Sequence, residues 1–469
     1  ALVAGRVFDR PVTVLRLPPA LYDRVVRAQR AELDGTTLRF GEDEARLQRI
    51  SAGDLALSAT DRAMLAGEDG PATRLAMEVL SLMAAADNAT RLIDVTRGHI
   101  DGCILAHDAN LIFAEKMAEL GAQVRVPTTI NAISVDRENW RSEGVPEGFG
   151  ARASRLADAY IGMGVRPTFT CAPYLLPDQP RPGEPIGWSE SNAVLYANSV
   201  LGARTPKHPD YLDLFIAMTG RAGAAGVYTD DGRRARRVLA VDAPADLEEE
   251  SFWPVLGWQA GRRSPDQIPL LTGLVHLAPT ADDLKALCAA FATTSGAPML
   301  HIAGHTPEAD LPPAPSAPQV PIGASDLVDA WAALNRGGAM IDLVAIGSPH
   351  ASIQELRRLV AQFAGRRCRT GTTMIVTLGR DALSAARAEG LVAALIGTGV
   401  RLIPDLCWCS ITEPVFPPGT RGLMTNSGKY AHYAHGLCGL HARLGGLADC
   451  VEAAITGRAP DRAPAWVRR

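Results

Sequence analysis

The chain has 469 residues, of which 47% are hydrophobic and 21% charged, with a formal net charge of −4. That length exceeds one ordinary domain of roughly 100–200 residues, so two or three lobes sharing contacts are expected. No apolar run reaches the roughly 18 residues of a membrane span, and no run of Lys or Arg supplies a nucleic-acid surface, which leaves small-molecule chemistry in a soluble protein as the default.

In chain order, the sequence opens at Ala1 inside an apolar helical pattern (Leu2, Val3, Val7) that leads to a strand-like Val12-Thr13-Val14-Leu15. A polar helical stretch, Pro19 to Arg30, and a charged connector follow, too little to enclose a core. Ser58 with Asp61 forms a capping-box pattern before a short helix ending near Gly67, and a second helix after Pro71 sets Ala76, Val79, Leu80 and Met83 on one face. Strand Leu92 to Val95, helix Ala109 to Leu120, strand Val124 to Val126 and helix Ala151 to Met163 then alternate, which argues an α/β fold with parallel pairing. Ala297 to Ile302 reads as another strand, and Thr306 to Pro321 carries six prolines and reads as an interlobe linker. Beyond it a βα pattern returns: strand Met340 to Ile346, helix Ile353 to Ala364, strand Thr373 to Thr377, helix Ala382 to Leu395 and strand Val400 to Ile403. The expected organisation is residues 1–50 as a tail and connector, 51–305 as a first α/β lobe, 306–321 as linker and 322–469 as a second α/β lobe. No Walker or GxGxxG loop is present.

In parallel sheets, ligands gather beyond the carboxyl ends of the strands, so the polar segments there are the candidates. They are Thr96-Arg97-Gly98-His99-Ile100-Asp101-Gly102-Cys103, Pro127-Thr128-Thr129-Ile130-Asn131, Thr170-Cys171-Ala172-Pro173-Tyr174, Gly187-Trp188-Ser189-Glu190-Ser191-Asn192, Gly347-Ser348-Pro349-His350, Asp405-Leu406-Cys407-Trp408-Cys409 and Thr425-Asn426-Ser427-Gly428-Lys429. Any one alone is ordinary turn chemistry; their accumulation is what points to a site. Only four lysines, Lys116, Lys207, Lys285 and Lys429, stand beside 43 arginines, so Lys429 in such a loop is a candidate anchor for a carboxylate. The eight cysteines are too sparse for a disulfide scaffold and no signal peptide is in view, which implies a reducing cytoplasm. Cys288 and Cys450 fall in helical patterns and read as buried core, and Cys368 reads as structural, whereas Cys171, Cys407 and Cys409 fall at strand ends. Cys-Trp-Cys has neither zinc-knuckle nor Cys-x-x-Cys spacing, so a soft-ligand site gathered from distant segments fits better.

These blocks, with Met64-Leu65-Ala66-Gly67-Glu68 and the run Tyr196 to Thr205, together resemble the large domain of the aconitase X family over about residues 56–455. Residues 1–17 resemble the closing helix and strand of that family's small swivelling domain, an arrangement similar to its single-chain members. The resemblance implies a hydro-lyase: dehydration of cis-3-hydroxy-L-proline to Δ1-pyrroline-2-carboxylate in the single-chain type, or of mevalonate 5-phosphate in the two-subunit type. It also implies an iron–sulfur cluster, [2Fe–2S] favoured over [4Fe–4S], acting as Lewis acid on the departing hydroxyl. Cys171 and Cys407 match family ligand positions; a third falls here on Ser348, which leaves Cys103, the favoured replacement, or Cys409. For the substrate, Lys429 is expected to take the carboxylate and Glu190 the ammonium, with Thr128, Thr129, Ser189, Asn192 and Asn426 adding hydrogen bonds. His99 and His350 are candidates for moving protons. The α-proton base is expected to be a serine on the swivelling domain, upstream of Ala1, in the same chain or a separate segment. From a different class, a non-catalytic iron–sulfur sensor or a zinc protein would use the same cysteines.

Overall fold

The computed structural model describes residues 15–28, 30–247 and 249–468. Three fully parallel sheets carry the chain. The first joins β1 (Gly98–Ile100), β2 (Thr128–Ile130) and β3 (Gly187–Trp188) in the order β2-β1-β3. The second orders β4 (Arg237–Val241), β5 (Pro269–Thr272), β6 (His301–Ile302) and β7 (Gln319–Ile322) as β6-β5-β4-β7. The third orders β8 (Leu343–Ile346), β9 (Thr373–Leu378), β10 (Val400–Pro404), β11 (Leu423–Thr425) and β12 (Ala442–Leu444) as β10-β9-β8-β11-β12. Strands such as Leu343-Val344-Ala345-Ile346, buried throughout, have the continuous apolar character of strands covered by helices on both faces. Among the described residues no helix is long and apolar enough to cross a membrane.

Local signals place the helices well. Ser58 and Asp61 close the capping box on the helix Ala59–Ala66, which Gly67 ends in a left-handed turn. Ala76, Val79 and Leu80 are buried on the helix Pro71–Ala86. Elsewhere the structure departs from the pattern. Val124 to Val126 is not a strand: the Val124 N–H donates to Met163 O at 2.9 Å and the Arg125 N–H to Ala217 O at 2.8 Å, and ladder pairing begins only at Thr128, past a proline that cannot donate. Leu92–Asp94 is a strand, but it pairs antiparallel with Arg221–Gly223, so the strand ending at the site is β1. Of Ala297 to Ile302 only His301–Ile302 is strand. The helix expected over Ala382 to Leu395 is two helices, Arg380–Ala388 and Leu391–Thr398, divided at Gly390 with φ +74. The proline-rich stretch ends in β7, which extends the second sheet.

Near the N-terminus the helix and most of the strand read from residues 1–14 lie outside the described residues. The charged connector proves to be a β-meander, Ala31–Asp34, Thr37–Phe40 and Asp43–Arg46, with Leu38, Phe40 and Leu47 as its own small core. Arg16 ties it to the body by donating to Ala86 O at 3.0 Å.

The first and third sheets meet edge to edge. The Ile133 N–H donates to Asp405 O at 2.8 Å and Ser410 Oγ to Ile133 O at 3.3 Å, so the loops leaving β2 and β10 are stitched together.

Candidate active site

The carboxyl ends of β1, β2 and β3 face those of β8, β10 and β11 across that seam. On the third-sheet side, Cys407 follows the stitched Leu406, and its thiol is hydrogen-bonded to those of Cys171 and Cys409. Cys171 and Cys407 are buried together with Ala132, and Cys409 packs against them. The contact with Cys171, with burial added, pushes the Cys407 thiol up. The Cys407 contact and burial do the same for Cys409, while the Lys429 charge works against both.

His350 clamps the loops that carry the first two thiols. Its N–H points at Cys171 Sγ at 3.3 Å, its Nδ1 lies 3.1 Å from Thr170 Oγ1 and its Nε2 lies 2.7 Å from Leu406 O. Because a carbonyl only accepts, Nε2 carries the proton, and Nδ1 then accepts from the threonine. Burial lowers its pKa to about 4, so the ring is neutral.

On the first-sheet side, Glu190 opens the helix Ser191–Ser199, and its Oε1 accepts from Lys429 Nζ at 2.8 Å. Asn192 Nδ2 donates to the same oxygen at 2.6 Å and to Cys171 O at 3.1 Å, held in place by Tyr174 OH on Asn192 Oδ1 at 2.9 Å. Asn131 Nδ2 donates to Glu190 Oε2 at 3.3 Å and also to Asp101 Oδ1. Burial alone would raise the Glu190 pKa; the Lys429 charge and hydrogen bond, with Asn192, overcome it and hold the carboxyl at about 2. Asp101 goes the other way: burial and the neighbouring Glu190 and Asp210 charges raise it well above the usual range, while its Oδ1 accepts from Asn131. Its N–H donates to Asp213 Oδ2 at 2.7 Å, and burial lifts Asp213 to about 7. An ammonium, an ionised carboxylate and a second carboxyl of raised pKa thus lie together, opposite three thiols.

Family models for the aconitase X first, second and third domains match residues 54–231, 235–332 and 341–456. The chain is 47% identical over its whole length to a protein of Pseudomonas aeruginosa named cis-3-hydroxy-L-proline dehydratase, spanning 82% of that relative. It is 42% identical to a Hypocrea jecorina protein of the same name, over 99% of this chain and 81% of the relative. The chain belongs to the aconitase X family. A crystal structure of Thermococcus kodakaraensis aconitase X in its holo-form superposes with a TM-score of 0.77 at 29% identity, covering 85% of this chain and all of that one.

Aconitase membership points to an iron–sulfur centre. The donor set fits one chemically, since three soft sulfurs are packed together beside a buried cation. They form a hydrogen-bonded run, and among the described residues no group of three or more His, Cys, Asp or Glu is placed so that it could hold a metal ion as it stands.

The remaining expected residues are spread more widely in this aconitase X structure. Cys103 is not brought to the other thiols; its Sγ donates to Asn131 O at 3.4 Å and Ala132 O at 3.3 Å, and burial with the Asp101 and Asp213 charges raises its pKa. Thr128 Oγ1 donates to Val126 O at 2.8 Å and packs against Gly98, at the far end of the strand. Thr129 Oγ1 lies 2.7 Å from His99 Nδ1. His99 is fully buried, tilted against Trp188, and kept neutral by burial at about 3, while its Nε2 has no protein partner. Ser189 is buried just before Glu190, and Asn426 is half-buried in the loop that leads to Lys429. Asp101 and Asn131 belong to post-strand segments recognised in the sequence without a role, and Asp213, on the helix Leu212–Thr219, carries no sequence signal of its own.

Proposed function

We propose that this chain is the catalytic region of a hydro-lyase that removes water from cis-3-hydroxy-L-proline. Loss of the Cα proton and the 3-hydroxyl gives an enamine, which tautomerises to Δ1-pyrroline-2-carboxylate. The observation that carries the reading is the buried Lys429–Glu190 pair facing three thiols. A small zwitterion presents the complementary pair of charges, and the names of the two bacterial and fungal relatives support the same substrate.

Cys171, Cys407 and Cys409 would hold the cluster, [2Fe–2S] being preferred here over [4Fe–4S]; when bound, it would supply a Lewis-acidic iron for the departing hydroxyl. Lys429 binds the substrate carboxylate and Glu190, kept ionised, binds the ring ammonium, so the two ends of the ligand replace the 2.8 Å contact between them. Asn131 and Asp101 orient the ring through hydrogen bonds. His350, with both nitrogens engaged, positions the Cys171 and Cys407 loops. The low exposure of Lys429 and Glu190, 5% and 13%, limits their contact with bulk water, which makes both charges count for more.

The test is anaerobic purification of the full-length holoenzyme, with iron and sulfide counted per chain and turnover of cis-3-hydroxy-L-proline followed. Cys407→Ser is expected to remove both colour and rate. An iron-free protein that still eliminates water would overturn the assignment.

A further inference from the structure

We propose that Arg380 is a positioning residue that fixes the spacing of the loops carrying Cys171 and Cys407, and so of the sulfurs they present to a metal centre. The inference rests on the reading of the thiol cluster as an iron–sulfur site. Five non-glycine residues among those described have positive φ, and two of them stand in matching places. Phe169, with φ +41, precedes Cys171 by two residues, and Asp405, with φ +69, precedes Cys407 by two. Both are fully buried. A bulky aromatic residue keeps such a backbone only where its surroundings hold it there.

Arg380 reaches both. It opens the helix Arg380–Ala388 after β9 and follows Gly379, where an added Cβ would lie 3.1 Å from Thr170 Cβ. Its Nε and Nη2 donate to Asp405 Oδ1 and Oδ2, each at 2.7 Å, and its Cζ lies 4.9 Å from the centre of the Phe169 ring. The two parallel hydrogen bonds fix the guanidinium plane, so the carboxylate of one loop sets where the cation meets the ring of the other. Arg137 repeats the link: its N–H donates to Asp405 Oδ2 at 3.3 Å, and its Cζ lies 5.8 Å from the same ring. His350 contacts the next residue of each loop, Thr170 and Leu406. Arg380 thus joins the residues one step further from the thiols, across the seam between the first and third sheets.

The experiment compares the full-length wild-type chain with Arg380→Lys, Arg380→Met and the double variant Arg380→Met, Asp405→Asn, all purified anaerobically. Iron per chain, visible and EPR spectra, the rate of iron loss to EDTA and stability in urea are measured. Lysine keeps the charge but lacks both the fork and the flat face. Arg380→Lys is therefore expected to fold and to lose iron about tenfold to a hundredfold faster, the range that removal of a supporting contact produces. Arg380→Met strands the buried Asp405 charge and is expected to lose stability as well. Adding Asp405→Asn, which removes that charge and tolerates the positive φ, is expected to restore stability without restoring iron retention. A pair that served the fold alone would restore both together. The wild-type spectrum and release rate in Arg380→Lys, or in the double variant, would overturn the assignment and leave the cluster standing. If Arg380→Met does not fold, those two variants decide. A wild-type chain that binds no iron overturns the cluster and this inference together.

Discussion

Two of the four lysines are buried in ion pairs that join distant segments, and they differ in what surrounds them. Lys285 contacts Asp282 at 2.9 Å and also Glu355, bridging the helix Ala281–Thr294 to the start of the helix Ile353–Phe363. Both carboxylates have further fixed partners: Ser352 Oγ donates to Asp282 at 2.9 Å, and the Ser352 N–H donates to Glu355 at 2.9 Å. Lys429 has one carboxylate, Glu190, and the three thiols are its next strongest electrostatic neighbours. The first arrangement is closed, with the cation and both carboxylates each held by further partners inside the fold. The second leaves charge and hydrogen-bonding capacity to a ligand. Burial of a lysine is therefore common to a structural pin and to the proposed binding group, and the partners differ between them.

The sharpest test breaks the pair on each side. Lys429→Met is expected to lower turnover by about 10²–10³-fold, the scale of losing one preorganised charge in a dry site. The same change strands the Glu190 charge, so adding Glu190→Gln is expected to recover folding stability in urea melts without recovering rate. Lys285→Met is expected to do the reverse: stability falls by about 3–5 kcal/mol, as when one partner of a buried pair is removed, while turnover per folded molecule is unchanged. Lost turnover in a folded Lys285→Met enzyme would erase the distinction.

Acid extends the comparison. Glu190 is depressed from 4.5 to about 2 in the folded chain, so its contribution is present above pH 4.5 and is lost as pH falls toward 2. The linkage is worth about 3 kcal/mol. His99, His208 and His350 are held neutral by burial at about 3, 4 and 4, against 6.5 when unfolded. Their share of stability is therefore lost earlier, as pH falls from 6.5 toward 4. Urea melts from pH 7 to pH 3 are expected to show both losses. The Lys429→Met, Glu190→Gln double variant is expected to flatten the lower window and leave the upper one intact; loss of both or neither would show that the pair does not act as described.

Periodicity and strand-end reasoning reach the parallel α/β architecture, the capped helices and the loops that carry Glu190, Asn192 and Lys429. They reach those loops because a polar run straight after an apolar strand has few places to go except the sheet's carboxyl edge. They misjudge Val124 to Val126, where apolar residues in extended chain look like a strand until Pro127 is seen to delay the ladder. They give no role to Asp101, because its raised pKa comes from burial in the fold and from the Glu190 and Asp210 charges, far away in sequence. The buried triad around Lys285 is equally hidden, since Glu355 is recognisable only as a helix cap until the two helices meet.

The smallest expected effect concerns which third sulfur joins Cys171 and Cys407. Cys103 follows β1 by three residues and, at 1% exposure, is more buried than the half-buried Cys409, so position and burial alone favour it. Its thiol, however, is spent on two main-chain carbonyls of the loop after β2, at 3.4 and 3.3 Å. A serine there can donate to the same carbonyls, and weak thiol bonds are replaced by hydroxyl bonds at little net cost. Cys103→Ser is therefore expected to keep its iron content and colour and to change stability by no more than about 1 kcal/mol. Cys409→Ser, altering a thiol hydrogen-bonded to Cys407 itself, is expected to lose iron. If the outcomes were exchanged, the cluster would lie toward the first sheet, and the closed and open surroundings of Lys285 and Lys429 would no longer separate pin from site.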